Sequence, residues 1–358
     1  MRAIHQLVAG FGNGDAISNE ARALRAIFQR WGAASEIYCD VRRTMPDLRG
    51  EARDLDRAAA EIGPDDVTLL HLSIGSPANL LFPQLRGRKA LLYHNITPAE
   101  FFQGVREETA RQLALGREQA RALSGAAAVV MADSPFNAAE LAAWGYGPAH
   151  VLPLVLDFGF VGTPPDRGLV RQFGAGGVNV LFVGRGVPNK RIEDLLAAFY
   201  YFQKYVEPDS RFFHIGSYAG TERYRSLAQA RVRDLRLRNV TFAGSVRQPE
   251  LTAYYRTAHV FLCLSEHEGF CVPILESMIH GVPVLAFAAG AVPDTLDGAG
   301  VLVPEKRFDL IAEMMGRLAR EGELRTRVIE GQRARVERFR AIDHERLLRQ
   351  YLAPLWQP

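Results

Sequence analysis

Glu268 and Glu276 stand with seven residues between them, in a setting suited to holding a ligand rich in hydroxyl groups. The apolar run Val260-Phe261-Leu262-Cys263-Leu264 suits a buried strand. Gly269 permits a tight turn after it, and Pro273 falls where the first turn of a helix can lack its N–H. That helix is expected to run to about His280 and stop at Gly281, before a second apolar run from Val282 to Phe287. Glu268 is thereby placed at the carboxyl end of a strand, the ligand edge of an open α/β sheet. Glu276 falls on the first turns of the helix, facing the same crevice. The backbone N–H groups of Gly269, Phe270, Cys271 and Val272 point that way too. Two acceptors and several donors around one cavity suit a sugar nucleotide. By itself such a carboxylate pair is more often a solvated helix residue and a helix-capping acid, so the surroundings must decide.

A second stretch carries the opposite charge. Val178 to Val183 reads as a strand, followed by Gly184-Arg185-Gly186-Val187-Pro188-Asn189-Lys190-Arg191 and a helix from about Ile192 to Tyr205. Arg185 at the strand end and Lys190 at the helix start put two cations and an N-terminal helix dipole at one place. Charge of that kind is what a departing diphosphate requires. The plainer alternative is two surface cations.

The elements that position these residues alternate along the whole chain. Ile4 to Ala9 is a strand, and Gly10-Phe11-Gly12-Asn13-Gly14-Asp15 leads from it into a helix ending near Trp31-Gly32. This turn invites a dinucleotide-binding reading with Asp40 as the ribose acid. Against that, Asp15 occupies the place of the third glycine and puts a negative charge where a pyrophosphate would bind. The turn is read instead as facing a sugar or acceptor, with Gly12 and Gly14 allowing close approach. The plainer reading is a tight turn with Asp15 as a helix-start acid. Strands Val67 to Leu72 and Ala90 to Tyr93 end in Ser73-Ile74-Gly75-Ser76 and His94-Asn95-Ile96-Thr97-Pro98. His94 is either a ligand-facing group or a residue that holds its loop together. No G-x-S-x-G elbow accompanies either strand. Asp54-Leu55-Asp56 matches a D-x-D metal motif but is read as part of an alternating-charge helix face. Arg106, Arg111, Arg117 and Arg121 alternate with acids on a helix read as solvated. Asp133-Ser134-Pro135 starts a further helix with Ser134 as cap. The Pro- and Gly-rich segment 161–177 reads as a connection between domains. Leu310 to Arg340 is expected to be helical, and the tail from Ala341 through Leu347-Leu348-Tyr351-Leu352 to Trp356 has an apolar stripe.

Composition narrows the classes further. At 358 residues the chain suits two domains, each with its own core. Its 43 basic and 40 acidic residues leave a formal net charge of +3, too balanced for a dedicated nucleic-acid binder. Three cysteines, Cys39, Cys263 and Cys271, are too few for a disulfide framework, and a reducing cytoplasm is expected. The N-terminus lacks a signal-peptide apolar core. No apolar run reaches the roughly 18–20 residues needed to span a bilayer. Peripheral contact with a membrane surface is left open, as is the oligomeric state.

The run Glu268-Gly269-Phe270-Cys271-Val272-Pro273-Ile274-Leu275-Glu276-Ser277-Met278 resembles the E-x7-E signature of the retaining glycosyltransferases with two facing Rossmann-like domains (the GT-B type), glycosyltransferase family 4 above all. The usual form there is close to E-G-F-x-x-P-x-L-E-A-M. Arg185 and Lys190 meet the G-R-x(4)-K pattern of the same family, and Ala132-Asp133-Ser134-Pro135-Phe136-Asn137 looks like its A-D-S-x-F-N element, read as structural. The resemblance implies an acceptor-binding Rossmann-like domain over 1–160, a linker over 161–177, and a nucleotide-sugar-binding domain over 178–338. It also implies a cleft between the domains and a final helix, 339–358, crossing back to the first. The donor would be held by Gly12, Gly14, Gly184, Val246, Gly269, Phe270, Cys271, Val272 and Glu276. Arg185 and Lys190 would stabilise the leaving diphosphate without a metal or other cofactor. Glu276 would take the ribose hydroxyls and Glu268 the hexose, while His94 would lie beside the anomeric carbon. Retention of configuration is implied by the family. A GDP-mannose donor is favoured over a UDP-hexose, and the acceptor is expected to be a polysaccharide or lipid-linked glycan. A nucleotide-sugar epimerase, a nicotinamide-linked dehydrogenase and a non-catalytic sugar-nucleotide module are the alternatives.

Overall fold

The computed structural model describes residues 3–156, 158–320 and 322–356, with backbone only for Phe160 and Val161. The chain divides into two compact units. Unit 1 comprises Met1–Glu100, Glu108–Asp157 and Asp343–Pro358, and unit 2 comprises Phe101–Glu107 and Phe158–Ile342.

Unit 1 is built on a seven-stranded sheet of β1 (Ile4–Leu7), β2 (Ile37–Cys39), β3 (Arg53–Asp54), β4 (Val67–Leu72), β5 (Arg88–Tyr93), β6 (Val129–Ala132) and β7 (His150–Val151), ordered β3-β2-β1-β4-β5-β6-β7. Every pairing is parallel. Crossover helices therefore cover both faces, which is why β4 is buried at all six positions rather than alternating. The tail belongs to this unit. Leu348 and Leu352 of the helix His344–Leu352, with Leu355, pack among Ile4, Leu24, Phe28 and Leu92. Glu345 on the same helix pairs with Arg30 and accepts from the Trp31 indole at 3.0 Å.

Unit 2 carries a six-stranded sheet of β8 (Val178–Val183), β9 (Ser210–Ile215), β10 (Val240–Gly244), β11 (Val260–Cys263), β12 (Val284–Phe287) and β13 (Val301–Val303), ordered β10-β9-β8-β11-β12-β13. It too is parallel throughout. In both sheets the strand order reverses once, at β1/β4 and at β8/β11. Crossovers leave those neighbours on opposite faces, so a crevice opens beyond the carboxyl ends of the strands.

Several local expectations are revised. Asp54 ends the edge strand β3, and its carboxylate caps a short 3₁₀ turn, Leu55–Arg57, by accepting from the Asp56 N–H, so the D-x-D stretch runs from a strand end into that turn rather than along one helix face. Within 161–177, Arg167–Phe173 is a helix capped by Asp166, whose own N–H donates to Pro249 O at 2.8 Å. The helix after Lys190 ends at Tyr201 and continues as one π-turn, Phe202–Val206. The segment 310–340 is two helices, Phe308–Ala319 and Glu323–Arg340. No described helix is long and apolar enough to cross a membrane.

Leu348 is fully buried and surrounded by rigid strands and helices, so truncation leaves a cavity that the unit cannot close. Leu348→Ala is expected to cost about 3 kcal/mol, read as a lowered urea midpoint for the transition of unit 1.

Candidate functional site

In unit 2 the loops after β8 and β11 flank the point of strand reversal. The turn Pro188–Lys190 is tied to the stretch after β11 by two bonds, Glu266 N–H to Asn189 O at 2.9 Å and Asn189 Nδ2 to His267 O at 2.9 Å. This holds the Lys190 ammonium 2.5 Å from each Glu268 carboxylate oxygen. Glu268 is buried and Lys190 partly so, with side-chain exposures of 6% and 19%. Burial works against the ammonium, but the Glu268 charge outweighs it and raises Lys190 above its ordinary value. Arg191, in the left-handed region at φ 52°, anchors the same turn through Glu266 at 2.8 Å. Lys306 bridges Glu266 and Asp194 at 2.8 and 2.6 Å.

The helix after β11 is Val272–Ile279, with Pro273 in its first turn and Gly281 just past its end at φ 70°. Glu276 accepts from the Tyr255 hydroxyl at 2.7 Å. Burial raises Glu276, and that bond opposes the rise. Tyr255 is itself fixed by stacking on His280 at 5.0 Å between ring centroids. The small-residue loop after β12 packs against the backbone of Glu268. A Cβ on Gly290 would stand 2.6 Å from Glu268 O, and Ala291 N–H donates to that same oxygen. Gly290 thus serves to position Glu268.

The unit 2 residues that the sequence assigns to the donor lie in the turns after β8, β10 and β11 and on the helix Val272–Ile279. Arg185 is exposed just past β8. Gly184 lies against the next strand end so closely that a Cβ on Gly216 would fall 1.8 Å from its carbonyl oxygen. Phe270 and Cys271 are buried and Gly269 and Val272 half-buried, with Cys271 capping the helix at φ 73°. Val246 is half-buried in the turn after β10. The structure joins Lys190 to Glu268 directly; Glu276 is joined to Tyr255.

In unit 1, Gly12 and Gly14 lie past β1, Gly12 donating to Ser18 Oγ at 3.0 Å and Gly14 at φ 70°. Asp15 is the cap of the helix Ala16–Arg30, accepting from the N–H and hydroxyl of Ser18 at 2.9 and 2.6 Å. A hollow of about 510 Å³ opens here, lined among others by Gly10, Gly12, Asp15, Arg43, Ser73 and Gln112.

His94 is buried, with both ring nitrogens engaged. Its Nε2 meets His71 Nδ1 at 2.8 Å, and its Nδ1 lies 3.0 Å from Asp133 Oδ1 and 3.4 Å from Glu20 Oε2. His71 Nε2 meets Gln6 Oε1 at 2.9 Å, while Gln6 Nε2 donates to Ala21 O. That last bond fixes the amide, so the direction of every other bond follows. Gln6 Oε1 accepts from His71 Nε2–H, and His71 Nδ1 accepts from His94 Nε2–H. Burial and the neighbouring imidazolium hold His71 well below its usual range, as a neutral ring. For His94 burial is outweighed by the charges of Asp133 and Glu20, which hold it up at about 9; burial raises Glu20 to about 8. Glu20, His71 and His94 have ligand atoms within 4.8 Å of one another, as do Cys263, Glu268 and Cys271. In the first group the hydrogen bond between the rings already uses the facing nitrogens.

The sequence reading missed Glu20, His71, Gln6, Asn189 and Tyr255. Two of them had a signal. Glu20 lies on the stripe of Leu24, Ile27 and Phe28, and His71 interrupts a strand otherwise almost wholly apolar. Arg117, read as part of a solvated helix face, turns inward to Glu140 at 2.8 Å and to Ile96 O.

Two all-parallel sheets with a single strand reversal each are the architecture of the GT-B glycosyltransferases. The solved sucrose-phosphate synthase from Thermosynechococcus elongatus is similar over 99% of this chain and 100% of its own, with a TM-score of 0.75 at 20% identity. Anabaena HepE, solved in complex with UDP and glucose, is similar over the same shares with a TM-score of 0.74 at 17% identity. Residues 173–335, within the span of unit 2, match the family model described as glycosyl transferases group 1. Among curated proteins, the GDP-mannose-dependent alpha-mannosyltransferase of Mycolicibacterium smegmatis is 31% identical over 169 residues, 43% of this chain and 40% of that protein. The O-antigen chain mannosyltransferase B of Escherichia coli is 31% identical over 133 residues, 37% of this chain and 34% of its own. The matched stretches thus span less than half the length of these relatives.

Two expected outcomes follow from the site. His94 and Glu20 are both raised above their unfolded values, so the stability they contribute is present at low pH and lost as pH rises through the folded values. The melting temperature of unit 1 is expected to fall between about pH 4.5 and 9, Glu20 setting the lower part of that range and His94 the upper, and His94→Gln to flatten the upper part. Tyr255→Phe removes a donor from a half-buried carboxylate and is expected to cost about 1–3 kcal/mol in urea unfolding of unit 2.

Proposed function

We propose that this protein is a retaining glycosyltransferase that moves a hexose, mannose first among candidates, from a nucleoside-diphosphate sugar to a glycan or lipid-linked acceptor. The observation that carries the reading is the Lys190–Glu268 contact at the strand reversal of unit 2, inside the stretch that matches the group 1 family model. A cation and a carboxylate so placed match the two ends of one scissile linkage, the β-phosphate on one side and the hexose hydroxyls on the other. Mannose is favoured because three of the curated relatives are named mannosyltransferases, one of them GDP-mannose-dependent.

In this mechanism Arg185 and Lys190 offset the charge that grows on the leaving diphosphate, so the catalytic contribution is electrostatic. Glu276, its carboxylate oriented by Tyr255, accepts from the ribose hydroxyls. Glu268 and the N–H groups of Phe270 and Cys271 hold hexose hydroxyls remote from the reacting carbon. The leaving phosphate takes the acceptor's proton as the new bond forms on the same face of the sugar. The hollow beside Gly12 and Gly14 in unit 1 receives the acceptor. His94, with both nitrogens spent inside the fold, supports the end of β5 and positions the polar loop that follows it.

Nucleotide sugars that bind the folded chain raise its melting temperature by mass action, so a panel containing GDP-mannose and UDP-glucose identifies the donor. With that donor, Arg185→Ala and Glu268→Ala are each expected to lower turnover about 10²–10³-fold. A chain stabilised by no nucleotide sugar, or variants that turn over like the parent, would refute the reading.

A further inference from the structure

Cys263 ends β11 and Cys271 caps the helix Val272–Ile279, so the two stand at the start and finish of the loop that carries Glu268. Both thiols are buried. Their sulfurs and a Glu268 carboxylate oxygen all lie within 4.8 Å of one another. Cys271 has φ 73°, a left-handed backbone that is unfavourable for a residue with a side chain and that glycine adopts freely. A thiol kept at such a position against that cost points to a use for its sulfur.

Charge counting says what the trio can take. With both thiols protonated, the cluster holds one carboxylate and one ammonium, Glu268 and Lys190, and is neutral. A divalent cation that displaces the two thiol protons adds two positive charges and exposes two negative ones. The cluster is neutral again, so the penalty for buried net charge does not rise. Thiolates are soft donors that select zinc-like ions over magnesium or calcium. Two sulfurs and one oxygen fill three places of a tetrahedral set and leave the fourth open. Lys190, bonded to the ligating carboxylate, then serves as the outer partner that orients it.

We propose that Cys263, Cys271 and Glu268 form a binding site for a soft divalent cation of the zinc class. Its consequence rests on the donor-site reading above: a metal that holds Glu268 withdraws that carboxylate from the sugar, so zinc and nucleotide sugar compete.

Cobalt(II) added to the reduced, metal-free full chain tests the site directly. The expected result is a thiolate-to-cobalt charge-transfer absorption that saturates at one equivalent, with about two protons released per ion. Cys263→Ser and Cys271→Gly are expected to lose the band, and Cys39→Ser to keep it. Glycine relieves the left-handed backbone, so Cys271→Gly retains the fold and its loss of the band reports on sulfur alone. No charge-transfer band, or one that survives both substitutions, would overturn the proposal. One equivalent of zinc is then expected to weaken GDP-mannose binding at least tenfold; unchanged affinity would overturn the competition. A chain that bound cobalt but no nucleotide sugar would leave the metal site standing and sink only the transferase reading.

Discussion

Parallel strand pairing constrains everything else in this protein. Each parallel neighbour needs a crossover, crossovers go to both faces, and both sheets are covered. Where the strand order reverses, the covering elements diverge and loops gather at the carboxyl edge. In unit 2 that edge receives Arg185 and Lys190 from the loop after β8 and Glu268 from the loop after β11, Lys190 and Glu268 being 78 positions apart in the chain. In unit 1 the corresponding edge receives the Gly12–Asp15 turn and the hollow beside it.

The Lys190–Glu268 pair shows how side chains at such an edge are held in place. Each charge alone would be expensive in so enclosed a place, and together they are tolerated only if the geometry is good. Good geometry is supplied by neighbours. Asn189 bonds to His267 and Glu266, Gly290 admits the backbone of Glu268, and Arg191 with Lys306 locks Glu266. The left-handed residues Arg191 and Cys271 mark the two turns where the chain is bent hardest around the pair.

Unit 1 uses a different device for a similar end. Gln6, Glu20, His71, His94 and Asp133 come from four strands or strand ends and one helix; a run of hydrogen bonds connects Gln6, His71, His94 and Asp133, and Glu20 lies at ion-pair distance from His94. Because Gln6 can offer His71 only its carbonyl oxygen, the proton positions are determined through to His94. The imidazolium is held chiefly by Asp133, with the buried carboxyl of Glu20 raised beside it, which makes the network sensitive to pH and keeps the His94 ring inside the fold.

How much of this was legible depends on whether the information is local. Alternating βα periodicity, the glycine and proline positions and the helix caps at Asp15 and Ser134 are set by neighbours in the chain, and they give the element order and fold class. The E-x7-E spacing and the Arg185–Lys190 pattern are local too, and they lie on the loop and helix after β11 and on the loop after β8. Which side chains meet is not local. That Lys190 lies on Glu268, that Tyr255 orients Glu276, and that His94 points inward to Asp133 were decided by strand order, which brings distant segments together. The same holds for Asp54, whose fate as an edge-strand cap depended on β2 being available to pair. Sequence alone determined the elements and the chemistry available to them. Only the tertiary structure decided the partners, because burial makes each charge dependent on whatever the fold places beside it.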